Sequence, residues 1–90
     1  MSTLRMPTPL RVYVEGQKEV EITAPTVGLA LQELAGNYPQ LKRHLFDDLD
    51  QLRPYVNLFL NGQDVRSLHG PDTPLGEEDT LMIVPSIAGG

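Results

Sequence analysis

The sequence predicts an α+β fold in which one main helix crosses one face of a mixed sheet of four or five strands. Short segments that alternate apolar and polar residues indicate strands, and one longer segment carries apolar residues at helical spacing. The last apolar run, residues 80–84 (TLMIV), is apolar on both faces and is therefore expected at the centre of the sheet. A chain of 90 residues is long enough for a single domain over residues 1–90.

The N-terminal part of the chain is expected to form a hairpin. The segment LRVYVEG alternates, which predicts a half-buried strand with Val12 and Val14 among its inward residues and Tyr13 facing the other way. The segment KEVEITA alternates again, and Gly16 and Gln17 lie between the two as a turn. Residues 1–8 precede both strands and are expected to be a flexible N-terminus.

The main helix is predicted to follow Thr26, a plausible N-cap, and to end near Gly36 and Pro39. A stripe of apolar residues at helical spacing supports it: Val27, Ala30, Leu31, Leu34, Ala35 and Tyr38. A short second helix is possible beyond Pro39, because Leu41 and Leu45 are one turn apart.

The clearest hairpin is YVNLFLNGQDV, in which alternating residues meet an Asn61-Gly62 turn signal. The last strand would lie parallel to the first and end at Pro85, which cannot donate a ladder hydrogen bond. This order of elements is the β-grasp arrangement. Its predicted core consists of Val12, Val14, Leu31, Leu34, Val56, Leu58, Leu60, Leu81 and Ile83.

Composition argues against several classes of function. The formal net charge of −5 disfavours nucleic acid and anionic membranes as partners. The chain has no cysteine, which excludes disulfides, thiolate metal sites and a catalytic thiol. The N-terminal residues lack the apolar stretch of a signal peptide, and no segment approaches the roughly 20 apolar residues of a membrane span. A cytoplasmic protein is expected.

No side-chain active site is predicted. His44 and His69 have no visible set of co-ligands, and the acidic group Asp47, Asp48 and Asp50 lacks the glycine and terminal glutamate of a calcium loop. We therefore expect surface histidines, a solvated turn, no metal and no bound cofactor. The chain is not expected to be an enzyme.

The C-terminal residues carry the remaining chemistry. Beyond Pro85, residues 86–90 (SIAGG) are expected to project as an extended tail. Ala88, Gly89 and Gly90 are small, and a glycine pair passes through a slot too narrow for other residues. The Gly90 carboxylate is the group that an enzyme could reach and activate.

Three stretches, YVNLFLNGQDVR, LGEEDTLMIVP and the final AGG, resemble the MoaD/ThiS-type sulfur carriers, which are ubiquitin-like β-grasp proteins. The resemblance runs from about Leu10 to Gly90. Its pattern is most similar to the cysteine-synthase-associated carrier.

The resemblance implies that a partner enzyme uses ATP to adenylate Gly90, after which a sulfur donor converts it to a thiocarboxylate. A second enzyme, such as a cysteine synthase or the molybdopterin synthase large subunit, would accept the sulfur. The acceptor pathway stays open among cysteine, molybdopterin, thiazole and tRNA thiolation. Two alternatives remain: a modifier conjugated to lysines through Gly90, and a non-covalent binding module whose tail is idle.

A docking surface is predicted on the sheet face away from the helix. Its expected members are Tyr13, Phe59, Met82 and Val84, with Ile87 extending the surface along the tail. The alternative is a minor apolar cluster covered by a loop such as residues 47–53.

Overall fold

The computed structural model describes residues 2–85, which form a five-stranded sheet and two α-helices. The strands are β1 (Ser2–Arg5), β2 (Glu19–Ile22), β3 (Val56–Leu60), β4 (Gln63–Asp64) and β5 (Thr80–Pro85). The helices are α1 (Val27–Asn37) and α2 (Pro39–Leu45), and three 3₁₀ segments occupy Thr8–Val14, Val65–Ser67 and Gly70–Asp72. No helix in this part of the chain is long and apolar enough to cross a membrane.

The last strand lies at the centre of the sheet. The strand order is β2-β1-β5-β3-β4. Strand β5 pairs in parallel with β1, with Leu81 opposite Leu4, and antiparallel with β3, with Ile83 opposite Leu58. The predicted mixed sheet and its central last strand are confirmed.

The core lies between one face of the sheet and the two helices. The sheet contributes residues such as Leu58 and Ile83, and α1 and α2 contribute Leu34 and Leu41, all almost fully buried. Helix α1 begins where the sequence predicts, because the Thr26 hydroxyl accepts a hydrogen bond from the Leu29 N–H at 3.3 Å. The possible second helix is present as α2.

The prediction for the N-terminal strand is wrong. The segment LRVYVEG lies mostly in the 3₁₀ segment Thr8–Val14, and the strand that pairs with β5 is Ser2–Arg5. Pro7 and Pro9 favour this outcome, because proline suits the first turn of a helix but cannot donate to a strand ladder. Residues 2–5 are therefore part of the sheet, and the expectation of a flexible N-terminus over residues 1–8 is wrong for them.

This difference in secondary structure also changes the core. Val12, a predicted core residue, is 73% exposed. Leu10 and Val14, on the same segment, are buried. The chain then turns through Glu15 and Gly16, which both have positive φ. The other eight predicted core residues are buried.

A hydrogen-bonded clamp positions the start of β5. The Asn61 side chain donates to Asp79 at 2.9 Å, and its oxygen accepts the Thr80 N–H at 2.9 Å. Asp79 also accepts the Gly76 N–H at 2.7 Å. The bonds from Gly76 and Asn61 lower the pKa of the Asp79 carboxyl. Asn61 and Gly62 both have positive φ, as the predicted hairpin turn requires.

We predict that Ile83→Ala destabilises the domain by about 2–5 kcal/mol, because it leaves a cavity at the centre of the core. Val12→Ala is the matched control and should change the free energy of unfolding by less than about 0.5 kcal/mol, since Val12 is exposed. Urea unfolding followed by circular dichroism measures both. Equal destabilisation by the two substitutions would contradict the observed register of β5.

Candidate functional site at the end of the central strand

The end of β5 is the place from which the predicted tail would leave the sheet. Ile83 is 1% exposed and is the last fully buried side chain of the strand, two residues before Pro85. Pro85 still pairs with Val56 on β3, so the strand is held in the sheet to its final residue. The predicted tail residues Ile87, Ala88, Gly89 and Gly90 lie outside the described residues.

An apolar strip lies on the sheet face opposite the helices. Phe59 on β3 is the register partner of Met82 on β5, and Val84 lies two residues further along the same face. Met82 and Val84 are 36% and 37% exposed, and Phe59 is partly buried. The structure thus brings together three of the four predicted surface residues within its described part. Their role in partner binding stays a prediction.

Tyr13 does not belong to this strip. Its ring stacks on His44 of α2, with ring centroids 4.3 Å apart and an angle of 29° between the planes. The prediction that Tyr13 lies beside Phe59 is therefore wrong, because it assumed a strand where the chain forms a 3₁₀ segment. His44 is correspondingly half-buried rather than on the surface, and its buried Nε2 has no hydrogen-bond partner within residues 2–85.

The loop of residues 47–53 does not cover the strip. It packs against α2, where the Arg53 N–H donates to the Leu45 carbonyl at 2.8 Å and Lys42 lies 3.2 Å from Asp50. Asp47 accepts the N–H groups of Leu49 and Gln51, so this carboxylate closes a turn. The described residues contain no cluster of three or more metal-binding side chains.

Two arginines flank the strip, and the sequence reasoning missed both. Arg5 on β1 is the register partner of Met82, and its Nε lies 3.7 Å from Glu19. At the other edge, Arg66 donates to Asn57 at 3.0 Å and lies 2.8 Å from Asp64. Hydrogen bonds from the Arg66 side chain and N–H lower the pKa of the Asp64 carboxyl.

An apolar strip between guanidinium groups has the character of a protein-binding surface. Aromatic residues, methionine and arginine are enriched at protein interfaces, and Phe59, Met82 and the two arginines supply them here. Methionine also adapts its shape to different partners. Sequence patterns alone do not distinguish Arg5 and Arg66 from the other arginines. The register that places Arg5 beside Met82 depends on a strand that the sequence does not predict.

Comparisons with known proteins identify similar proteins over nearly the whole chain. The model of the ThiS family matches residues 4–90. Sulfur carrier protein CysO of Mycobacterium tuberculosis is 34% identical over 90 aligned residues, which cover 98% of this chain and 97% of the relative. Small archaeal modifier protein 3 of Haloferax volcanii is 37% identical over 65 residues, which cover 72% of this chain and 70% of that protein.

A solved structure agrees over the full length. The crystal structure of the BexX/CysO complex of Amycolatopsis orientalis contains a chain that matches with a TM-score of 0.87 and 31% identity, covering 100% of both chains. The fold is therefore the ubiquitin-like β-grasp that the order of elements predicts. The family match, the full-length relative and the shared fold together show that this chain belongs to the ThiS family.

Proposed function

We propose that this protein is a sulfur carrier that bears sulfur as a thiocarboxylate on Gly90. The observation that carries the proposal is that β5, anchored by Ile83 at the centre of the sheet, leads within five residues to the AGG sequence. A folded domain thus leads directly into a short segment whose last two residues have no side chains. Membership of the ThiS family and the similarity to CysO support the same function.

The chemistry requires two steps on an adenylating enzyme. A Gly90 carboxylate oxygen attacks the α-phosphorus of ATP, so that an acyl-adenylate forms and pyrophosphate leaves. A sulfur nucleophile then attacks the acyl carbon and AMP departs with the transferred oxygen. A thioacid is largely ionised at neutral pH, and its sulfur anion is a strong nucleophile. ATP is bound by the partner, and the carrier itself needs no bound cofactor.

A second enzyme accepts the sulfur from the carrier. The crystal structure of the BexX/CysO complex of Amycolatopsis orientalis supports the existence of a protein partner, because a relative of this chain is bound to another protein there. A sulfur acceptor of the cysteine synthase or molybdopterin synthase type agrees with the similarity to CysO and with the pattern of the sequence. Activation by ATP would place these steps in the cytoplasm.

A ubiquitin-like modifier is the second candidate function. The identity with small archaeal modifier protein 3 favours it, and the activation of Gly90 would be the same. The two functions differ only in the nucleophile that attacks the adenylate, which is a sulfur atom for the carrier and a lysine amine for the modifier. The chain that leaves the enzyme is therefore either a single thiocarboxylate species or a larger conjugate.

We predict that Gly89→Val blocks adenylation without unfolding the domain. A β-branched side chain would not pass through a slot shaped for glycine, whereas the core ends at Ile83. ATP–pyrophosphate exchange with the adenylating enzyme of the same organism measures activation, and far-UV circular dichroism is the control. ATP–pyrophosphate exchange by Gly89→Val at the wild-type rate would contradict the idea that the adenylating enzyme receives the glycine pair through a narrow slot.

We predict that Phe59→Asp weakens binding to both the adenylating enzyme and the sulfur acceptor, because it places a charge in the centre of the apolar strip. Leu49→Asp is the matched control, since Leu49 is 77% exposed on the loop that packs against α2. Titration calorimetry against each enzyme gives the two affinities, and thermal melting reports the fold. Unchanged affinities for Phe59→Asp, with a normal melt, would place the docking surface elsewhere.

A further inference from the structure

A groove lies beside the point where β5 ends, and we call it the tail-root groove. One wall is formed by residues 5–9 and Arg11, and the other by residues 82–85. Its volume is about 380 Å³. The groove exists because the last register pair between β1 and β5 is Arg5 with Met82, so that β5 continues for three residues beyond its partner. There the chain enters the 3₁₀ segment, with Pro7 as its N-cap and Pro9 in its first turn, instead of extending β1.

The charge of the tail-root groove is opposite to that of the whole chain. The formal net charge of the chain is −5, yet the groove lining contains two arginines and no carboxylate. Two other cavities, which lie against α2 and the loop that follows it, are lined by both Lys42 and Asp50. The tail-root groove therefore differs from them in having side chains of one charge sign only.

Both arginines have donors left for a further partner. The Arg11 Nε donates to the Met6 carbonyl at 3.0 Å, and no carboxylate of residues 2–85 lies within 4 Å of its guanidinium group. Arg5 lies 3.7 Å from Glu19, but both side chains are more than half exposed, so this pair contributes little. A guanidinium group binds a carboxylate through paired hydrogen bonds, and apolar groove walls would strengthen them by excluding water.

The position of the groove determines what can reach it. Residues 86–90 span at most roughly 18 Å when fully extended. An enzyme whose active site holds Gly90 must therefore bring the entrance of that site to within this distance of Pro85, which itself lines the groove. Arg5 and Arg11 line the same groove as Pro85 and are therefore within reach of the enzyme surface around that entrance.

We propose that the tail-root groove binds an acidic side chain, set among apolar residues, at the entrance to the active site of the adenylating enzyme. The carboxylate pairs with Arg11 and Arg5, and the apolar neighbours pack against Met82 and Val84. This contact rests on the proposed function and adds to it a charged recognition element at the edge of the apolar strip, with which the groove shares Met82 and Val84. It makes recognition depend on charge as well as on apolar contact.

The test is ATP–pyrophosphate exchange by the adenylating enzyme of the same organism, measured against the concentration of the carrier. Arg11→Glu should raise the KM for the carrier about tenfold with kcat within about twofold, because it replaces an attraction with a repulsion at the rim of the active site. Arg11→Lys keeps the positive charge and should bring the KM most of the way back to the wild-type value. The KM of the wild type should rise with salt concentration, because salt screens the attraction. Arg43→Glu is the matched control, since Arg43 is exposed on α2 and the substitution changes the net charge of the chain by the same amount.

Each other outcome has a defined meaning. Equal KM values for Arg11→Glu and Arg43→Glu would overturn the proposal. A lower KM for Arg11→Glu would also overturn it, because the groove would then hold the terminal carboxylate of the chain itself. If Arg11→Glu lowers the melting temperature because it removes the hydrogen bond to Met6, Arg5→Gln serves as the test instead, since it leaves that bond intact. Absence of exchange with the wild type would contradict the proposed function instead.

Discussion

The pairing of β5 between β1 and β3 is the constraint on which the rest of the structure depends. It places Leu81 and Ile83 in the middle of the core, so that the described part of the chain ends on a central strand of the sheet. The clamp between Asn61 and Asp79 fixes the other end of the same strand. The base of the final five residues is therefore positioned by packing and by hydrogen bonds on both sides of the strand.

The central strand also explains why one short sequence serves both stability and recognition. In TLMIV, Leu81 and Ile83 face the helices and are buried, whereas Met82 and Val84 face away and are exposed by more than a third. A strand apolar on both faces predicts cover on both sides. Here the helices cover only one side, and a partner protein is the proposed cover for the other.

Those parts of the fold that depend on local signals could be predicted from the sequence. The Thr26 cap, the Asn61-Gly62 turn and the apolar run of residues 80–84 each lie where the sequence indicates. The N-terminal strand could not, because β1 has only four residues and a single large apolar side chain, Leu4. The alternation in LRVYVEG is stronger, yet Pro7 and Pro9 direct that segment into a 3₁₀ helix.

The residue types of the candidate site can be predicted from the sequence, but their arrangement in space only in part. Phe59, Met82 and Val84 share a face because the period of a strand is two, which the sequence displays. The positions of Tyr13 and Arg5 cannot be predicted in the same way, since both depend on where the first strand begins. The position of Arg11 in the groove depends on the difference in length between β1 and β5, which local sequence patterns do not predict.

The most direct test of the account is the intact mass of the chain isolated from its native cells under non-oxidising conditions. The account predicts a single-chain species heavier by the exchange of one oxygen for one sulfur, with fragmentation placing the change at Gly90. Blocking the adenylating enzyme should remove that species. A chain that is unmodified whenever the adenylating enzyme is active, or one found only in conjugates with other proteins, would contradict the assignment as a sulfur carrier.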